Sequence, residues 1–390
     1  MNLFHRLLKK YLNKSQNKLM KKKIAIIGAG IGGLTLANLL QKNPDFEFII
    51  YEKSEILNLK EGFGLQLAVN SISILNQIGF SNLNKSEIYN PTKLDFYCDE
   101  DKVCDLNLAE FNNETNKYTT LKRSSLIKFL KEKLFSNLIR FNKTIESVEQ
   151  DQDILKIKFN DGATEEVDYL VVSDGVFSQT KSIIEKKSFK PNYYGAIAVR
   201  TQIKAEDVPE FKTENISLVM SSKAHLVLYP VNDKRDINVV CILRKKLNEK
   251  KSIELLLGEK FINKNKYLLS LFKGSLKSWS IYTSPKPVKS ILKKVYYIGD
   301  AFYTFPPTFA QGASQSIESA KELYDLLTNN KENVENTYFD KRLKKTIMIN
   351  NRSRLNYFAF HFSNPVLKIF RNEFLKRLIK SKSFINRYLG

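Results

Sequence analysis

Residues that build disulfide frameworks and metal centres are scarce in this chain of 390 residues, which holds three cysteines (Cys98, Cys104, Cys241) and three histidines. So few and so scattered, they form no disulfide framework and no zinc site, no metal is expected, and a reducing, cytoplasmic compartment is the natural setting. Long apolar runs are missing too. No stretch reaches the roughly 18 consecutive apolar residues of a membrane span, and the N-terminus lacks the apolar core and cleavage site of a secretory signal. The third scarcity is local. Residues 1–23 hold eight Lys/Arg and no acid, and residues 341–390 hold thirteen Lys/Arg against Glu373 alone. The net charge of +22 therefore sits in two tails, around a body that is nearly neutral. A nucleic-acid enzyme more often spreads its basic stripe over the fold, so no nucleic-acid partner is expected. Basic tails with apolar faces suit peripheral contact with an anionic membrane, and equally a solvated helix face. Met20, just ahead of Lys21-Lys22-Lys23, is a second candidate start of the chain.

What is present suits a folded core: 43 % apolar and 12 % aromatic residues, enough for one large or two medium domains. Lys23 to Ile27 is a short apolar run of the kind buried on both faces of a parallel sheet. Leu34, Leu36, Leu39 and Leu40 follow at helical spacing, and Phe46 to Tyr51 reads as the next strand. Further short strands are expected at Asp168 to Val172 and Val295 to Ile298. Between roughly 187 and 285 the pattern changes to strands at Ala196–Ile203, Ile216–Met220, His225–Tyr229 and Ile237–Leu243. After Ala310 the chain reads as helical, apart from a break at Asn364-Pro365. The expectation is an α/β fold in which the lobes share one interleaved chain. Residues 21–186 and 286–330 form a nucleotide domain, 187–285 a smaller antiparallel-sheet substrate domain that 91–114 can join, 331–390 basic C-terminal helices and 1–20 a basic extension.

Gly28-Ala29-Gly30-Ile31-Gly32-Gly33 fits G-x-G-x-x-G between a strand and a helix. The first glycine permits a tight turn, the second lets backbone approach a pyrophosphate, and the third lets helix pack on strand. The helix N-terminus offers free N–H groups to phosphates. Glu52, with Lys53 beside it, ends the second strand and suits ribose hydroxyls. This is a Rossmann-like dinucleotide site for either NAD or FAD.

The remaining motifs run in order along the chain. Gly62-Phe63-Gly64-Leu65-Gln66-Leu67 is followed by Asn70, Leu75 and Gly79, and Arg123 stands in Arg-x-x-Leu. Ser173-Asp174-Gly175-Val176-Phe177-Ser178, His225-Leu226-Val227-Leu228-Tyr229-Pro230, Gly299-Asp300-Ala301 and Ala310-Gln311-Gly312-Ala313-Ser314-Gln315 come next. Together they resemble the FAD-dependent aromatic-ring monooxygenases, the p-hydroxybenzoate and salicylate hydroxylase family. The resemblance implies FAD as cofactor and NAD(P)H as transient co-substrate. It implies that Gly28, Gly30, Ile31, Gly33, Glu52, Lys53, Arg123, Asp174, Asp300, Gly312 and Ala313 bind the cofactor, with Asp300 on the ribityl chain and Gly312-Ala313 near the flavin ring. Phe302-Tyr303 depart from the family's Ala-His, and Ser314 and Ser319 replace an Asn and an acid. With Phe305 and Phe309, Tyr303 would make the flavin-side pocket bulkier and more aromatic.

No motif names the catalytic group. Weak candidates are His225, Tyr229 and Arg200 on strands of the second lobe, and Tyr303; each also has an ordinary structural reading, as surface residue, core aromatic or exposed strand charge. The leading reading is a monooxygenase in which NAD(P)H reduces FAD, O2 adds, and a flavin hydroperoxide hydroxylates or epoxidises an electron-rich aromatic or polyprenyl-phenol substrate. The alternative is a flavin-dependent reductase or desaturase acting on a lipid. A halogenase lacks support, because its W-x-W-x-I-P motif is missing and Trp279 is the only tryptophan.

Overall fold

The computed structural model describes residues 21–381 apart from short stretches at 58, 60–62, 209–213, 254–255, 257–262, 264–269, 273–275, 309 and 330–332. The basic extension 1–20 with its alternative start, the last residues 382–390, and the motif residues Gly62 and Phe309 thus lie outside the described residues. The first strand, Lys22–Ile27, is buried from Ile24 onward and pairs in parallel with Phe46–Tyr51 on one side and Tyr169–Val172 on the other. The five-stranded parallel sheet runs in the order Val295–Tyr297, Tyr169–Val172, Lys22–Ile27, Phe46–Tyr51, Ile139–Arg140.

Side chains alternate across a strand, and the two faces of this sheet are covered differently. Ile24, Ile26 and Ile50 face a helical layer. It contains α1 (Ile31–Leu40), α2 (Val69–Asn76), α3 (Arg123–Glu132) and, beyond the short α4 (Gln179–Ile184), α5 (Gly312–Thr328). Ala25, Ile27 and Tyr51 face the other way, onto Leu155, Ile157 and Phe159 of a three-stranded antiparallel meander. The strands expected near 24–27, 46–51, 169–172 and 295–298 are all present, so the α/β reading holds.

The second lobe is a seven-stranded sheet ordered Lys277–Thr283, Asn192–Lys204, Asp236–Arg244, Ala224–Val231, Ile216–Met220, Lys93–Cys98, Asp101–Asn107. It is antiparallel except where Ile216–Met220 runs parallel to Lys93–Cys98, which brings a hairpin from early in the chain onto the sheet's edge. A small sheet of Gly64–Leu67, Thr119–Lys122 and Ile88–Tyr89 joins the lobes. There the Gly64 N–H donates to Asn238 Oδ1 at 2.6 Å, and a β-carbon on Gly64 would lie 2.6 Å from Tyr229 Cε2.

After α5 come α6 (Val334–Phe360) and α7 (Pro365–Leu378). The expected break at Asn364-Pro365 is there because Asn364 caps α7, accepting the Val366 N–H at 2.9 Å and the Leu367 N–H at 3.3 Å, with proline in the first turn where its missing N–H costs nothing. A second interruption separates α5 from α6, where Asn333 takes a left-handed φ of 57°. Among the described residues no helix is long and apolar enough to cross a membrane.

Candidate active site

The glycine turn is forced at one position and open at another. A β-carbon on Gly33 would lie 2.2 Å from the Gly28 carbonyl oxygen and 2.6 Å from Ser173 Oγ, so the strand–helix packing itself demands glycine. A β-carbon on Gly30 would come no nearer than 4.0 Å, to the Ser173 carbonyl oxygen, so among the described residues the space there is open. Helix α1 begins at Ile31 without a side-chain cap, leaving its first N–H groups and the positive end of its dipole unspent. Glu52 accepts the Ala29 N–H at 2.8 Å and the Ser54 N–H at 3.0 Å, which holds its carboxylate against the turn, while Lys53 beside it is exposed.

The neighbouring strand ends deliver two more acids. Asp174 follows Tyr169–Val172 and accepts the Thr180 N–H at 3.3 Å, while its Oδ1 is buried without a partner. Burial pushes its carboxyl up, with Ser178 and Thr180 pulling down. Asp300 follows Val295–Tyr297 and is exposed to a cavity it lines, yet protein encloses it closely enough that burial pushes its carboxyl up to about 6 against the pull of Arg123. Arg123 opens α3 and lines the same cavity; burial lowers its pKa and Asp300 raises it. Ala310 to Ala313 complete this end, where α5 begins without a side-chain cap and a β-carbon on Gly312 would meet nothing within 4 Å. Two open glycines, two uncapped helix starts, acids at successive strand ends and one orphaned acid oxygen fit a long, polyhydroxylated, phosphate-bearing cofactor.

The cavity, about 680 Å³, continues from Asp300 and Arg123 across the seven-stranded sheet to α7. Arg200, Tyr229, Tyr118, Phe63 and Trp279 line its middle. The Arg200 guanidinium lies 5.9 Å from the ring centres of both Phe63 and Trp279, a cation–π arrangement, and its Nε is buried without a partner. Burial lowers its pKa and Tyr229 opposes the shift. Burial pushes the Tyr229 hydroxyl well up, with Arg200 and Asn238 acting the other way. His225 is a buried wall residue whose Nδ1 lies 3.1 Å from His361 Nε2. Burial, then His361, holds His225 well below the usual imidazole range, and burial, then Arg244, brings His361 down to about 4.

Three of the four candidate catalytic residues, His225, Tyr229 and Arg200, thus meet at one cavity. Tyr303 lies elsewhere. The turn at Gly299–Ala301, closed by the Tyr303 N–H on the Gly299 carbonyl at 3.1 Å, folds its ring against the core beneath the parallel sheet, and Phe305 reaches the wall instead. Sequence reasoning missed Tyr118, whose hydroxyl donates to Gln66 Oε1 at 2.9 Å, as well as Trp279 and His361. Tyr118 was within reach, because the strand it leads into, Thr119–Lys122, pairs with the Gly64–Leu67 motif. No local signal announces the other two.

A family model described as an FAD binding domain matches residues 21–340. Among curated proteins, the 3-amino-4-hydroxybenzoate 2-monooxygenase of Streptomyces cremeus is 23 % identical over 349 residues, covering 87 % of this chain and 88 % of that protein. The 6-hydroxynicotinate 3-monooxygenase of Bordetella bronchiseptica is 25 % identical over 320 residues, covering 78 % and 82 %. Among solved structures, Klebsiella pneumoniae HpxO complexed with FAD and uric acid superposes with a TM-score of 0.81 at 16 % identity, over 94 % of this chain and 97 % of that one. A salicylate hydroxylase substrate complex superposes with a TM-score of 0.74 at 17 % identity, over 95 % and 98 %.

Proposed function

The chain belongs to the FAD binding domain family that its residues 21–340 match, and from that premise we propose that it hydroxylates an electron-rich aromatic ring carrying an anionic group. It is an FAD-dependent monooxygenase of the aromatic-hydroxylase kind, with NAD(P)H and O2 as co-substrates. When bound, FAD supplies electron transfer from NAD(P)H to O2 and activated oxygen for the ring. Gly28, Gly30, Ile31 and Gly33 would hold the pyrophosphate at the start of α1, and Glu52 with Lys53 the adenosine ribose. Arg123, Asp174 and Asp300 would hold the flavin side, with Gly312 and Ala313 at its ring. The division of labour we assign gives 21–186 and 286–330 to the cofactor, 187–285 with 91–114 to the substrate, and 331–390 to basic helices.

The observation that carries the substrate reading is Arg200. It is a charged fork against two aromatic faces in a largely apolar wall, with its Nε unpaired. A carboxylate or phenolate placed there would gain a charge-assisted bond in a poorly hydrated site. The names of the relatives quoted above, a hydroxybenzoate and a hydroxynicotinate monooxygenase, describe rings of that kind. Tyr229 orients the ring beside Arg200. His225, kept neutral by burial, can accept a phenol hydroxyl's hydrogen bond at Nε2 only in the tautomer whose Nδ1–H donates to His361. Phe63, Trp279 and Phe305 keep water from the reacting atoms.

A second reading, a lipid-like substrate such as a polyprenyl phenol with peripheral membrane contact, draws on the far end of the cavity, where Leu94, Phe96, Leu106 and Leu218 form an apolar wall, and on the basic C-terminal helices. It includes epoxidation, and reduction or desaturation of a lipid. Turnover under 18O2 with a panel of phenols, with and without ring carboxylates, tests both readings. One labelled oxygen in a ring-hydroxylated product is expected; label confined to water or peroxide across the panel would turn the assignment toward a reductase.

A further inference from the structure

Helix α7 has two unlike faces. Its inner face closes the far end of the cavity with Leu375 and Leu378, joined by Ile379 just past its end. That face is pinned by the Lys368–Asp99 ion pair at 3.1 Å and by Arg371, buried, donating from Nη1 to the Ala359 carbonyl at 3.3 Å. The outer face carries Val366, Phe370 and Phe374, four residues apart and therefore one above another, exposed by 57, 67 and 61 %. Ile369 and Leu367 flank them, also exposed, and Leu355 and Phe358 stand exposed on the last turns of α6. Monomeric proteins rarely leave such a contiguous stripe to water.

Charge chooses among the possible covers. Arg377 and Lys380 stand exposed beside the stripe, and residues 341–390 hold a single acid, Glu373, already paired with Lys376 at 2.7 Å. A second copy docked through this face would set cation against cation, which opposes association. An anionic bilayer satisfies both features, taking the apolar stripe below its headgroups and the cations among them.

We infer that the outer face of α7 rests on an anionic lipid surface, and that an apolar-tailed phenol enters the cavity from the bilayer past this helix. The entry route rests on the reading of the cavity as the substrate chamber; the docking face does not. Because one helix is both the membrane contact and the end wall, its displacement opens the cavity directly toward lipid.

The test uses the full-length holoprotein and two vesicle types, phosphatidylcholine alone and phosphatidylcholine mixed with phosphatidylserine. Salt-sensitive co-sedimentation with the anionic vesicles is expected. It should fall at least tenfold in Phe370→Ser/Phe374→Ser and about fivefold per charge in Arg377→Gln and Lys380→Gln, with flavin content and melting temperature unchanged because all four side chains are exposed. The double phenylalanine variant should also slow NAD(P)H oxidation stimulated by a long-chain alkylphenol in vesicles, while a short soluble phenol stimulates it as in the wild type. Equal and negligible binding to both vesicle types, or binding that the double variant leaves intact, overturns the docking face. So does a wild-type dimer that the variant converts to monomer. If vesicle binding behaves as expected and neither phenol stimulates oxidation, the reading of the cavity as a chamber for a lipid-like phenol fails while docking stands. If both phenols are affected alike, the entry route fails alone.

Discussion

Around Gly28 to Gly33 the chain prepares for its ligand with main chain: a turn, an uncapped helix start, and an acid braced by two backbone N–H groups. Around Arg200 it uses side chains only, brought from segments near residues 63, 118, 200, 229 and 279. On the proposed assignment the first arrangement would recognise what every FAD shares, phosphates and hydroxyls, and it is tied to the packing of the sheet. The second, as the proposed substrate site, would recognise one substrate among many, and its guanidinium is held by side chains from separate segments. A family can therefore vary the second while keeping the first, as the different substrates in the relatives' names illustrate.

The sharpest way to break this contrast lies within the glycine turn. Gly33→Ala pushes a β-carbon into the Gly28 carbonyl, so we expect about 3 kcal/mol of destabilisation and colourless protein, read by thermal melting and flavin absorbance. Gly30→Ala should leave the apoprotein within about 0.5 kcal/mol of wild type yet still abolish flavin retention. A Gly30→Ala protein as yellow as wild type would refute the cradle. Next in size, Asp300→Ala should weaken FAD about 10–100-fold, the worth of one charge-assisted hydrogen bond, in a fluorescence titration of an apoprotein that remains folded. On the substrate side, Arg200→Gln should leave FAD content untouched and raise KM about 10–100-fold for a ring carboxylate, but not for a neutral phenol. An equal rise for both would make Arg200 a structural cation.

The smallest effect is a pair of opposed pH slopes in the apoprotein. Asp300, raised to about 6, binds its proton more tightly folded than unfolded, so its contribution to stability is present in acid and is lost as pH rises from about 4 through 6. His361, brought down from 6.5 to about 4, does the reverse: its contribution is present above 6.5 and is lost as pH falls toward 4. Denaturant melts between these limits should show a flattened dependence. Asp300→Asn should steepen the acid loss and His361→Gln should lessen it.

Much of the cofactor end was legible because its signals are local: glycines five residues apart, an acid closing the next strand, another closing the Val295–Tyr297 strand. Four of the seven strands of the second lobe were legible as short apolar runs between polar turns, Ile216–Met220 to the residue. What was not legible depends on pairings between distant segments. Trp279 reaches the cavity through a strand that shifts register against Asn192–Lys204 between Tyr193 and Ile197, and His361 meets His225 from the end of a helix begun at Val334. Tyr303 misled because it follows a motif, while the tight turn at Gly299–Ala301 settles where its ring goes.

The order of the parallel sheet also constrains how the protein can be made. Its strand Tyr169–Val172 has one neighbour, Lys22–Ile27, available early, whereas the other, Val295–Tyr297, leaves the ribosome more than a hundred residues later. At typical synthesis rates the delay is roughly 6–25 s, during which Leu170, Val171 and Val172 present an apolar, unpaired edge inviting the wrong partner. Asp300 and the start of α5, which on the proposed assignment hold the flavin side, arrive after that same strand, so the early turn at Gly28–Gly33 would meet FAD without them. Truncations ending before about residue 328 should accordingly aggregate rather than survive as half-proteins, and recovery in a heterologous host should depend more on chaperone supply than on added flavin.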